Sequence, residues 1–216
     1  MAVAHRRGRA FHTQLDRSTK TTPALLGFDR HRSISLAARL AGAGVVLCPS
    51  TEANLGDGLP DLPGWLAAGV RISLGSDSQV SRNSGAELRL LEYGQRLVGR
   101  TRNVTAAPTV GFPSTAERLF AAVRAGGAHA AGAGRVGLEV GARADFVVLD
   151  GATSGLAGVP HAQVLDAYVF ATDALAVSDV FVAGRRVISG RAHARQAEIR
   201  ARFVATMASL FSRDEP

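Results

Sequence analysis

Two short apolar runs, Val45–Cys48 and Val70–Leu74, each break off into a polar loop. That arrangement constrains the chain more than any other feature. Helical patterns flank both runs, and strands separated by helices lie side by side in a parallel sheet. Pro49 ends the first run and Gly75 the second. Before the first run, Ile34, Leu36, Ala37 and Leu40 fall at helical spacing between Ser33 and Gly42. A short helix is expected around Leu62–Ala68, and a longer one over Glu87–Leu97. In the longer one Leu88, Leu91 and Leu97 form the apolar stripe while Glu87, Arg89, Glu92 and Arg96 face water. Ser114, with Glu117 three positions on, is a capping box that opens a helix running to about Ala125. Residues 49–60 and 101–113 are rich in turn formers and read as loops.

From Gly134 the pattern changes. Residues 145–150 read as a strand and 161–170 as a helix. Residues 177–182 and 185–188 read as a hairpin turning at Ala183-Gly184. Residues 194–211 form a terminal amphipathic helix whose apolar stripe is expected in a core. The domain organisation expected is therefore a basic, irregular segment at 1–32, an α/β portion at 33–131, and a smaller β unit with a terminal helix at 132–216.

The formal net charge is +7, and it is concentrated. Residues 1–32 carry seven basic side chains against two aspartates, and nearly all the positive charge in the chain is arginine. A solvated basic segment explains this better than a nucleic-acid surface, so no nucleic-acid partner is expected. No apolar run approaches the roughly 18 residues of a membrane span. No apolar segment with a small-residue cleavage site follows the basic start, so secretion is not expected either. Cys48 is the sole cysteine, which excludes an internal disulfide and fits the cytoplasm.

Asp77, in Gly-Ser-Asp-Ser directly after the second apolar run, is the leading candidate for chemistry. A carboxylate at the end of a buried parallel strand is placed to bind a metal or accept a proton. An ordinary turn or helix-cap role fits the same residue type. Glu52 and Asn54 sit in the loop after the first run, where either a substrate contact or a turn role is open. Arg82 offers a fork to a substrate carboxylate, or is simply solvated. Cys48 reads as an inert apolar residue and His129 as a helix-end residue.

The strings CPSTEANLGDG at 48–58 and GSDSQVSRNSGAELRLLEYGQRL at 75–97, with RN at 102–103, resemble the formimidoylglutamate deiminases. These are members of the metal-dependent amidohydrolase superfamily. GRVGLEVGARADFVVLD at 134–150 and VSDVFVAGRRVISGRAH at 177–193 resemble that superfamily's C-terminal β-sandwich piece. Together the likeness covers about residues 33–212. It implies an α/β fold, the C-terminal part of a metal-dependent hydrolase (β/α)8 barrel. Residues 45–48 would be strand seven and 70–74 strand eight, followed by part of a small β-sandwich and a C-terminal helix. It also implies zinc or another divalent metal, with Asp77 touching the metal and shuttling a proton. The substrate implied is a small formimino amino acid, N-formimino-L-glutamate, hydrolysed to N-formyl-L-glutamate and ammonia in histidine breakdown.

The chain departs from that pattern in its histidines. The family carries a His-x-His pair and further single histidines, whereas His5, His12, His31, His129, His161 and His193 include no such pair. Gln79 stands where the family usually has histidine. The resemblance thus implies a C-terminal portion, as a late start codon or shifted frame would give. Such a portion would be weakly active or inactive alone and would expose unpaired strand edges, which invite aggregation or association with a second copy or a complementing chain. Three function classes stay open: a deiminase, a non-catalytic fragment, and a basic binding module built on residues 1–32.

Overall fold

The computed structural model describes residues 3–6, 9–12, 43–78, 82–172 and 176–212, the first two stretches as backbone. The helix expected over Ser33–Gly42 lies outside the described residues. The chain divides into two compact units, Met1–Val136 with Ala152–Leu175, and Gly137–Gly151 with Ala176–Pro216. Residues 152–175 thus belong with the first unit, not with the smaller β unit as the sequence suggested. Their helix, Val164–Phe170, packs Tyr168 and Val169 into the larger core.

The first unit contains a four-stranded sheet in the order β2-β1-β3-β4. Its strands are β1 (Val3–Arg6), β2 (Arg9–His12), β3 (Gly44–Leu47) and β4 (Arg71–Leu74). β3 and β4 pair in parallel, Val45 opposite Ile72, as the two apolar runs require. β1 pairs antiparallel with both β2 and β3. This overturns one expectation. The stretch read as irregular holds two strands, and His5 and His12 lie in them. Four-residue strands of Ala, Arg, His and Phe carry no readable periodicity; their pairing comes from the edge that β3 offers.

The helices of this unit are α1 (Pro49–Leu55), α2 (Leu62–Ala67), α3 (Ser84–Gly99), α4 (Thr115–Ala130) and α5 (Val164–Phe170). The turn formers that mark residues 49–60 as loop mask α1, a helix that starts at Pro49 and ends at left-handed Gly56. α4 opens at Ser114, whose hydroxyl accepts the Glu117 N–H at 3.0 Å, and it runs past Gly126-Gly127 to Ala130. His129 accordingly lies in its last turn.

Gly126 explains that continuation. The Gly75 N–H donates to the Leu47 carbonyl at 2.9 Å. By strand alternation, Arg71 and Ser73 then face β3 and the Ile72 backbone turns to the outer edge. A Cβ added at Gly126 would lie 1.8 Å from the Ile72 carbonyl oxygen. The helix therefore brings bare backbone against the outer edge of β4. Of the two strands, β3 has its outer edge paired by β1, whereas β4 ends the sheet without a strand partner, as expected, with α4 packed against it at Ile72.

The second unit is an antiparallel sheet in the order β5-β6-β7-β8. It comprises β5 (Phe146–Leu149), β6 (Val177–Val182), β7 (Arg185–Ser189) and β8 (Ala192–His193). The β6–β7 turn has Ala183 at φ 49° and Gly184 at φ 78°, the pair of left-handed residues that a tight hairpin demands. Phe146 and Phe181 stack across the β5–β6 pair at 4.4 Å. Among the described residues of this unit, Ala176 alone is buried. The terminal helix α6 (Gln196–Phe211) buries none of its residues, and Phe203 and Phe211 are 62% and 68% exposed. Its stripe is amphipathic as read, but it is not core. No helix among the described residues is long and apolar enough to cross a membrane.

Candidate active site at the end of the parallel strands

β4 runs through Gly75 and Ser76 into Asp77, an exposed residue at φ 51°. Aspartate tolerates this left-handed conformation better than most side chains. The strand end thus turns sharply, and the carboxylate emerges immediately past it. β3 runs through Cys48, the cap residue of α1, into Pro49 and the first turn of that helix.

Two glutamates bracket this region. Glu52 on α1 is 6% exposed, and its Oε1 accepts the Cys48 N–H at 2.9 Å. The carboxylate turns back on its own helix start. Burial pushes its pKa up, and the carboxylates of Asp57 and Glu87 add to the rise. Glu87, in the first turn of α3, is 5% exposed. Its Oε2 accepts the Ser50 N–H at 2.9 Å, and its Oε1 accepts the Ser50 hydroxyl. Beside it, the Thr51 hydroxyl donates to the Ser76 carbonyl at 2.7 Å. The thiol of half-buried Cys48 is raised by burial first, then by the negative charges of Glu52, Asp77 and Glu87. Three carboxylates from three elements therefore act on one point at the strand ends.

The structure brings Glu52 and Asp77 to this end of the sheet and leaves Asn54 and Arg82 exposed. A small cavity of about 40 Å³ is lined by Glu52 with Leu59, Leu90 and Leu91, room for a water rather than a ligand. Glu87 escaped the sequence reading, which placed it in water with Glu92. Both are buried because each meets donors distant in sequence. The usable signal was an acid in the first turn after Asn83, whose side chain caps Gly85 and Ala86 at 3.0 and 3.3 Å.

The Glu-Tyr-Gly-Gln-Arg string at 92–96 organises the surrounding loops. Glu92 is fully buried; its carboxylate accepts the Val104 N–H at 2.9 Å, the Thr105 N–H at 3.2 Å and the Thr105 hydroxyl at 2.6 Å. Arg96 donates to it at 2.8 Å and lies over the rings of Tyr93 and Phe170. Gly94 leaves room for Leu59, whose Cδ2 would be 2.6 Å from an added Cβ. Gln95 donates to the Pro60 carbonyl at 2.9 Å. The buried face of α3 therefore continues through Gln95 and not Leu97, which is 79% exposed.

Among the described residues, the divalent metal implied by the resemblance finds no matching ligand set. Among the described residues, no three His, Cys, Asp or Glu side chains are grouped to hold an ion, whereas a catalytic zinc takes three protein ligands. The described geometry offers a carboxylate able to accept a proton, beside a tightly bonded scaffold.

The model of the Amidohydrolase family matches residues 11–187. A formimidoylglutamate deiminase from Pseudomonas aeruginosa is 42% identical over 182 residues, covering 83% of this chain and 40% of that protein. The crystal structure of an amidohydrolase from Brucella melitensis superposes with a TM-score of 0.75 at 40% identity, over 83% of this chain and 39% of that one. An adenosine deaminase from Xanthomonas campestris, crystallised with bound zinc, gives a TM-score of 0.64 at 22% identity over 84% of this chain and 40% of that one, a likeness of fold. The chain spans about two fifths of the length of the relatives it matches.

Proposed function

Starting from the fact that the chain belongs to the amidohydrolase family, we propose that it carries the strand-seven and strand-eight end of a deiminase site acting on N-formimino-L-glutamate. Asp77 is the reacting carboxylate. The observation that carries this reading is its position directly past a buried parallel strand, in a chain 42% identical to a formimidoylglutamate deiminase. Asp77 accepts a proton as water adds to the formimino carbon. It returns that proton to the departing nitrogen and, as the carbon–nitrogen bond breaks, carries over the proton of the new hydroxyl as well, so water and substrate leave as N-formyl-L-glutamate and ammonia. Arg82 and Asn54, both exposed, meet the substrate's polar groups, Arg82 as a fork to a carboxylate. Glu52, turned back on Cys48, shapes the strand-seven side.

A divalent metal in the complete site would need nitrogen ligands from outside the described residues. A chimera tests the reading: the leading portion of the Pseudomonas relative joined to residues 43–216 of this chain. The expected result is ammonia release from N-formimino-L-glutamate, reduced at least 100-fold by Asp77→Asn. A folded chimera that releases no ammonia, or one indifferent to Asp77→Asn, overturns it.

A further inference from the structure

Two neighbouring residues of α1 reach two separate points on the far side of the site. The Thr51 hydroxyl donates to the Ser76 carbonyl at 2.7 Å. The Ser50 N–H donates to Glu87 at 2.9 Å, and the Ser50 hydroxyl bonds the same carboxylate. Ser76 precedes Asp77, and Glu87 lies in the first turn of the helix that follows. We propose that Thr51 and Ser50, with Glu87, are positioning residues that staple the strand-eight turn to α1 and so fix the placement of Asp77. The proposal deepens the reading of Asp77 as the reacting carboxylate and rests on it.

The Ser76 carbonyl belongs to the same peptide plane as the Asp77 N–H, so a bond that holds the carbonyl sets that plane. The orientation of that plane enters φ of Asp77, which is 51°. A side chain stays in the left-handed region when its surroundings determine it. Thr51 is 2% exposed, so its bond is shielded from competing water. Ser50 anchors the other side through two bonds to one buried carboxylate, a pairing stronger than a neutral one. α1 is itself held at its start by the Glu52 bond to Cys48. The staple therefore joins the ends of both strands through one helical turn.

Nuclear magnetic resonance on the full chain tests this without turnover. Thr51→Val keeps the shape and removes the hydroxyl; Thr51→Ser keeps the hydroxyl. Thr51→Val is expected to shift the Ser76 carbonyl-carbon resonance upfield and to weaken the intraresidue N–H to Hα contact of Asp77 as φ turns negative. Thr51→Ser restores both. Glu87→Gln speeds hydrogen exchange of the Ser50 amide about fivefold. Wild-type Ser76 and Asp77 resonances in Thr51→Val overturn the staple. So does failure of Thr51→Ser to restore them, or a change spread evenly through α3 and α4. In the chimera described above, Thr51→Val lowers kcat at least tenfold with KM unchanged, and an unchanged kcat removes the positioning role. A chimera insensitive to Asp77→Asn sinks the reading of Asp77 while leaving the resonance result standing, so the two failures are distinct.

Discussion

Glu52 is a carboxyl group whose folded environment favours its protonated form. Burial is the main cause, and neighbouring carboxylates add to it. Its folded pKa lies above its unfolded one, so between the two values the folded chain binds more protons. Its contribution to stability is then greatest at low pH and is lost as pH rises through the folded value. Glu52→Gln keeps an acceptor for the Cys48 N–H and removes the titration. The variant is expected to equal or exceed the parent in urea midpoint at pH 7, and to show a flatter stability profile between pH 4 and pH 7. Urea titrations across that range check it; a variant losing stability at pH 7 contradicts it. The sequence made Glu52 visible as a candidate because it follows an apolar run. It could not reveal that the carboxylate turns inward, since that depends on α1, hidden in a string of turn formers. Asp77 was legible for the opposite reason: strand, glycine and acid are contiguous.

At the scale of the element, contact with bare backbone decides what the helix pattern alone left open. Gly126 and Gly127 look alike in sequence and read as weakening a helix. In α4 they differ completely. A Cβ at Gly126 would meet the Ile72 carbonyl at 1.8 Å, whereas one at Gly127 meets nothing within 4 Å. Gly127→Ala is expected to stabilise the chain by about 0.5–1 kcal/mol through helix propensity. Gly126→Ala gains the same propensity but must push α4 off β4, and is expected to destabilise by about 1–3 kcal/mol net. Thermal melts of the two variants check the opposite signs. The same logic explains α3. Its apolar stripe foretold Leu88 and Leu91 in the core, but two acids on the buried face are held by donors outside α3, Ser50 of α1 for Glu87 and the 104–105 loop for Glu92. Charge suggested water; geometry supplied hydrogen bonds in its place.

Taken as a whole, the chain pairs a well-buried unit with one that buries little. Leu47, Ile72, Leu88, Leu91 and Leu119 are each at most 2% exposed in the first, while Ala176 is the buried apolar residue described in the second. A sheet needs a second layer to cover its faces. Amides of β5, β6 and β7 are therefore expected to exchange with solvent at least tenfold faster than those in the middle of α3 and α4. Exchange followed by mass spectrometry checks this, and equal protection would contradict it.

The same imbalance between scaffold and chemistry governs function. The described residues supply a carboxylate at a strand mouth and a network that holds its surroundings, but no group of three ligands. One exposed carboxylate holds a divalent ion weakly, and a hydrolytic site without its full ligand set does not activate water at neutral pH. The chain alone, dialysed against micromolar zinc, is expected to retain well under one equivalent. It should turn over N-formimino-L-glutamate far below the roughly 10 s⁻¹ typical of enzymes. Metal analysis and an ammonia assay on the same preparation check both. Stoichiometric zinc with ordinary turnover would mean that the ligands lie within this chain.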